Sequence, residues 1–217
     1  MHAENYSQTI RRELVHKRAV AEVLVTSMGN QAGTWVVHTQ MPRVHSFHTD
    51  GLGRQCAYYD PLLVMEAFRQ GCIAGSHLFY DVPLDARHTV RYYELSVVDL
   101  AQLKCGPETL DLELNILVQK EFRRDGQGAV HGLEVQAVAA REGTKAMELA
   151  AAFGWMSLEK WEKFRTGSSW DPGPQPSPAD PRTVGRIPSH RFRPAFPIFT
   201  SRDSSFETVP TVAHALS

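Results

Sequence analysis

The chain has 217 residues, 42% of them hydrophobic, with 24 acidic side chains set against 23 basic ones. That is enough apolar material for one well-filled core, and the near-cancelling charge offers no broad field to steer the protein onto nucleic acid or an anionic bilayer. No apolar run approaches the ~20 residues of a membrane helix, and the polar start lacks a signal-peptide core, so the expectation is a cytoplasmic protein with no membrane and no nucleic-acid partner.

Residues 20–27 (VAEVLVTS) and 34–41 (TWVVHTQM) are β-branched and roughly alternating, and Gly29, Asn30 and Gly33 between them predict a hairpin. A polar stretch follows. Asp60 then offers an N-cap and Pro61 the favoured first helical position, so a helix is predicted over about 61–79. Its apolar residues, Leu62, Leu63, Met65, Phe68, Ile73, Leu78 and Phe79, cover most of the circumference, and Gly71, Ala74, Gly75 and Ser76 allow close approach, so the helix is expected to be buried.

Period-two alternation marks residues 87–100, 110–124, 129–142 and 145–157 as four long strands, joined by short turn-rich segments. Two strands, one buried helix and a four-strand meander make an α+β order that a curled antiparallel sheet around the helix satisfies. SLEKWEKF, 157–164, predicts a short closing helix with Trp161 and Phe164 turned inward. From Gly167 the composition changes, with five prolines in the 15 residues 168–182. One domain over 13–166 is therefore expected, and 167–217 as a linker and tail.

Glu66 is the one carboxylate amid the apolar residues of the predicted core helix, a costly position unless it is paired. Arg69 and Gln70 lie three and four residues on, where they can reach it. Two readings stand: an ordinary ion pair on a helix surface, or a general base, or an acid of raised pKa, facing a pocket. His38, His45 and His48 fall in a short interval, but no zinc spacing fits them and no cysteine joins them. Solvated loop residues or a single active-site imidazole are expected there, with no metal and no organic cofactor. Backbone amides around Asp60 to Leu63 could stabilise an oxyanion, less one or two donors claimed by Asp60 as cap. GLGRQ, 51–55, lacks the context of a phosphate loop. Cys56, Cys72 and Cys105 follow no ligand or redox spacing and read as structural thiols in a reducing compartment.

VHKRAVAEVLVT, MPRVHSFHTD and YDPLLVMEAFRQGCIAGSHLFYDVPLD, in that order, resemble the AfsA-type A-factor biosynthesis family of hot-dog proteins over roughly residues 13–157. The resemblance implies the hot-dog fold, a long central helix wrapped by a curled antiparallel sheet. It also implies transfer of a β-ketoacyl group from an acyl carrier protein to the hydroxyl of dihydroxyacetone phosphate, toward γ-butyrolactone or furan-type signalling molecules. The catalytic roles carry over to Glu66, Arg69 and His45. Asp60, Leu62, Leu63, Gln70 and Arg43 are the expected substrate-binding residues, the acyl donor being a carrier-protein or CoA thioester.

Two features depart from the family pattern. Tyr59 precedes Asp60-Pro61 where family helices often carry histidine. DPRTVGR, 180–186, looks like the start of a second repeat that no second DPLL-type helix follows, so a homodimer, or a complementary second chain, is expected to replace it. In the expected mechanism Glu66 takes the proton of the acceptor hydroxyl while helix amides hold the oxyanion, which requires Glu66 to reach a cavity and predicts that Glu66→Gln is folded and inactive. The rival readings are a thioesterase or dehydratase on the same fold, and a non-catalytic acyl-binding regulator.

Overall fold

The computed structural model describes residues 3–45, 48, 57–123 and 128–167. Its central element is helix α1, Pro61–Phe79. The Asp60 side chain accepts from the Leu62 amide, and Pro61 follows where a missing N–H costs nothing. Leu63, Val64, Ala67, Phe68, Cys72, Ile73 and Ala74 are all buried, which gives the all-round apolar helix that the sequence predicts.

Six antiparallel strands surround this helix in the order β1-β2-β4-β5-β6-β3. They are β1 Val25–Gln31, β2 Thr34–Met41, β3 Arg87–Val97, β4 Leu110–Arg123, β5 Val130–Arg141 and β6 Thr144–Met156. Alternation decides which side of the sheet each residue meets. Leu110, Leu112, Leu114 and Ile116 of β4 are fully buried on the core side, and Asp111, Glu113 and Asn115 between them are not. This is the expected α+β hot-dog architecture.

The first strand is displaced from its expected place. Residues 20–22 form a single 3-10 turn, and β1 runs on through Gly29 and Asn30, where the sequence predicts a loop. The reversal instead uses Ala32 (φ 50°) and Gly33 (φ 88°), closed by the Asn30 side chain accepting from the Gly33 amide. Two consecutive positive φ values make the primed turn whose twist matches a hairpin, and this local geometry outweighs the turn preference of Gly-Asn. Glu142 (φ 50°) and Gly143 (φ 80°) repeat the device between β5 and β6.

Helix and sheet meet closely where α1 has no side chains. A Cβ on Gly75 would fall inside the ring of Trp35, and one on Gly71 would lie 3.2 Å from Ile116. Trp35 is therefore buried with the helix backbone as its floor. A short helix α2, Leu158–Gly167, follows β6. Its Trp161 and Phe164 stack on each other at 6.1 Å and Phe164 is exposed, which corrects the inward packing expected of them, because the helix is polar on every other side. The 51–55 segment, Cys56, the proline-rich stretch and the 180–186 motif lie outside the described residues.

Candidate active site

Glu66 stands one and a half turns into α1, its side chain 20% exposed, and is held by four donors. Arg69 grips it with two parallel hydrogen bonds, Nε to Oε2 at 2.7 Å and Nη2 to Oε1 at 2.8 Å. Gln70 Nε2 donates to Oε1 at 3.0 Å, and Lys17 Nζ lies 3.1 Å from the same oxygen. Burial is the largest single influence on this carboxyl and would raise its pKa. The Arg69 hydrogen bonds and charge, Gln70 and Lys17 together outweigh it and hold the group at about 2. For Arg69 burial likewise opposes the charge, and Glu66 reverses the direction, raising its pKa.

Both readings of Glu66 therefore have a share in the result. The carboxylate is in the core helix and paired, and the ion pair is bidentate and partly covered, unlike an exposed surface pair. A group held at about 2 is a poor proton acceptor. The expectation of a free general base reaching a cavity is corrected on this point, since every oxygen of Glu66 is already engaged.

Gln70, expected to bind substrate, is fully buried and structural: its Oε1 accepts from the Leu24 amide at 2.8 Å and its Nε2 also donates to the Glu22 carbonyl at 2.9 Å. It ties α1 to the entry of β1. Leu63 is sealed in the core at 1% exposure, so it cannot line a substrate site, whereas Leu62 is 55% exposed at the start of the helix. The expected amide donors there are also taken. Pro61 has no N–H, Leu62 gives its own to Asp60 Oδ1, and Leu63 gives its own to the Asp60 carbonyl. The oxyanion role of these amides is thereby corrected, because an N-cap and a first helical turn consume them.

The Asp60 Oδ2 atom lies 3.0 Å from His48 Nδ1, and the His48 and His45 rings are 5.0 Å apart. His45 is within electrostatic range of Lys17, Glu22 and Glu66, so the structure brings it to the Glu66 network. Partial burial first, then His48 and Lys17, lower its pKa below 6.5. His38 does not join them. It sits in β2 against Ser27 Oγ (3.0 Å) and Asn5 Nδ2 (3.2 Å). Arg43 is exposed and in range of Tyr59, alongside Arg141, and no described hydrogen bond ties it to Glu66.

A groove of about 490 Å³ opens on the sheet face opposite α1, lined by Glu94, Ser96, Asn115, Gln136, Val138 and Glu148 among others. It contains neither Glu66, Arg69 nor His45, so it is not the cavity that the expected mechanism asked for.

Sequence reasoning missed a second group, at the other end of α1. His16, His77 and His88 come from three separate elements and place one ring nitrogen each within 4.8 Å of the others. Burial first, then His16, His77 and Arg69, push the His88 pKa down to about 3. No linear spacing could announce them, since His16 lies 61 residues before His77 and His88 lies 11 after it.

A family model described as an A-factor biosynthesis hotdog domain matches residues 1–150. The chain belongs to the A-factor biosynthesis hot-dog family. A 2-oxo-3-(phosphooxy)propyl 3-oxoalkanoate synthase of Streptomyces virginiae is 32% identical over 191 residues, which are 83% of this chain and 60% of that protein. The chain thus spans about three fifths of that relative's length. Among solved structures, a thioesterase from Haemophilus influenzae superposes with a TM-score of 0.45 at 10% identity, over 71% of this chain and 96% of that one. A mutant thioesterase from Pseudomonas aeruginosa has a TM-score of 0.45 at 11% identity, over 71% and 99%. These two likenesses are too distant to carry an argument about chemistry.

Proposed function

We propose that this family member is an acyltransferase that moves a β-ketoacyl group from a carrier-protein or CoA thioester to the hydroxyl of dihydroxyacetone phosphate. The Streptomyces relative supports this reading, since its name describes an ester of a 3-oxoalkanoate with a phosphooxy-oxopropyl group. The observation that carries it to particular residues is the meeting of a buried carboxylate, two cations and a neutral-leaning imidazole at the first turns of α1.

In this reading Glu66 is the holder of the site. It fixes Lys17 and Arg69, whose positive charge meets the phosphate of the acceptor and the oxyanion of the thioester carbonyl. His45, its pKa held below the usual histidine value, is neutral near pH 7 and takes the proton of the acceptor hydroxyl. The hydroxyl oxygen forms a bond to the thioester carbon, the carbon–sulfur bond breaks, and His45 returns the proton to the departing thiolate. No redox step is involved.

The test is mass spectrometry of the protein with a β-ketoacyl thioester, with and without dihydroxyacetone phosphate. A phosphorylated ester that depends on acceptor and is lost in His45→Gln supports the transfer. Free acid formed equally without acceptor points to thioester hydrolysis. The non-catalytic reading draws on the fourfold-held Glu66, an arrangement that would also suit a fixed binding site, and bound but unconsumed acyl thioester would favour it.

We also propose that a second hot-dog unit, in a homodimer or from another chain, pairs along β3. This strand has β6 on one side only and presents Val90 at 53% exposure, with Tyr92, Leu95 and Val97 each at 36%, interspersed with the exposed Arg91 and Glu94. Sedimentation of wild type and Val90→Lys tests the homodimer: a dimer that the lysine dissociates is expected, and a monomeric wild type contradicts the homodimer and leaves the other chain as the partner.

A further inference from the structure

The three histidines at the C-terminal end of α1 have their protons assigned by what lies behind each ring. His77 Nδ1 is 2.7 Å from the Val82 carbonyl oxygen, which can only accept, so Nδ1 carries the hydrogen and Nε2 the lone pair. Ser76 Oγ gives its one proton to the Ile73 carbonyl at 2.7 Å, so its 2.8 Å contact with His88 Nε2 is one in which the ring donates. The lone pair of His88 is then on Nδ1, which is buried and has no hydrogen-bond partner among the described residues. His16 Nε2 faces His77 Nε2 at 3.0 Å.

One ring nitrogen of each histidine thus lies within 4.8 Å of the other two, and the His77 and His88 rings are each fixed from behind by an oxygen. Such backing is what orients metal-bound imidazoles and raises their basicity. At 3.0 Å the lone pair of His77 Nε2 meets His16 Nε2 across a single shared proton or a metal ion. Nitrogens bound to a tetrahedral ion at about 2.0–2.1 Å sit roughly 3.3 Å apart, close to the 3.0 Å between His16 and His77, while the trio as a whole lies within 4.8 Å. Ring centroid separations of 5.1, 5.1 and 5.3 Å leave the three equivalent in distance.

We propose that His16, His77 and His88 form a three-histidine site for a zinc-class divalent transition-metal ion. The all-imidazole donor set suits zinc, cobalt or nickel and not magnesium or calcium, which take oxygen ligands. His77 lies in the last turn of α1, where the helix carbonyls favour a cation. The charges that oppose it are Arg87 and Arg69, both in range of His16, and Arg69 is paired with Glu66. Three protein ligands leave a fourth position for water or for an anionic oxygen. His16, exposed at the mouth of the group, gives the ion its way in.

The inference is independent of the acyl-transfer reading, and its test needs no activity. The full chain, freed of any histidine tag and stripped with chelator, is titrated with cobalt(II) chloride while the visible d–d absorption is followed, and zinc chloride is then added in competition. One cobalt per chain is expected, its band bleached by zinc. His16→Asn and His88→Gln should each weaken uptake at least about 100-fold, and His131→Gln, on exposed β5, should leave it unchanged. Asparagine is chosen at 16 because φ is 56° there and that residue tolerates it, and circular dichroism confirms that each variant is folded. Zinc should also raise the melting temperature of wild type and not of His16→Asn. No cobalt uptake by wild type at millimolar metal overturns the site, as does uptake that both variants retain or that His131→Gln abolishes.

Discussion

The two ends of α1 solve opposite electrostatic problems. At the first turns a carboxylate sits among donors, and Arg69, Gln70 and Lys17 leave it more than satisfied. At the last turn three imidazoles lie close together, and His88 Nδ1 has no hydrogen-bond partner among the described residues. A saturated ion pair can position other groups but is slow to give or take a proton, whereas converging lone pairs invite a proton or a metal. In the proposed readings, reactivity lies beside the carboxylate, at His45, and at the far end of the helix, at the histidine trio.

The largest expected effect comes from breaking the saturated end. Glu66→Gln leaves the Arg69 charge partly covered and unpaired, and a loss of roughly 2–4 kcal/mol in urea unfolding is expected, so this variant is destabilised and not only inactive. Adding Arg69→Met should recover part of that loss; purely additive effects would mean that the bidentate pair carries no coupling. Gly75→Ala strikes between the two ends, where the new methyl meets the Trp35 ring. A loss of about 1–3 kcal/mol is expected from overpacking, read as a fall in melting temperature.

Acid gives a graded comparison. Because the Glu66 pKa is about 2 in the folded protein against the usual 4.5, its contribution is complete above about 4.5 and is lost as the pH falls toward 2. Stability measured across that window should fall with decreasing pH, and Glu66→Gln should flatten part of the fall. The smallest effect belongs to a site remote from both ends. Ala32 at φ 50° pays for a left-handed backbone, and Ala32→Asn should stabilise by about 0.5–1 kcal/mol without changing cobalt uptake or turnover.

Much of this was legible in the sequence, for physical reasons that differ by element. Asp60-Pro61 and the unbroken apolar surface announced α1, and alternation over long runs announced β3 to β6. The start of β1 was not, because Gly29 and Asn30 carry a turn composition while the register is set by the primed turn at Ala32-Gly33. Glu66, Arg69 and Gln70 stood at helical spacing and did meet. Lys17 adds a fourth donor to the carboxylate from a distant segment that no periodicity connects to α1. The histidine trio rests on the same kind of long-range closure, and the histidines that drew attention as neighbours in sequence, His38 and His45, go to different places.

The pH dependence of kcat/KM for ester formation from a β-ketoacyl thioester and dihydroxyacetone phosphate separates the holder from the base. With His45 as base the acidic limb should rise with an apparent pKa somewhat below 6.5 and disappear along with activity in His45→Gln. An acidic limb in the carboxylate range that persists in His45→Gln, or no ester at any pH, would contradict the assignment of Glu66 as holder and His45 as base.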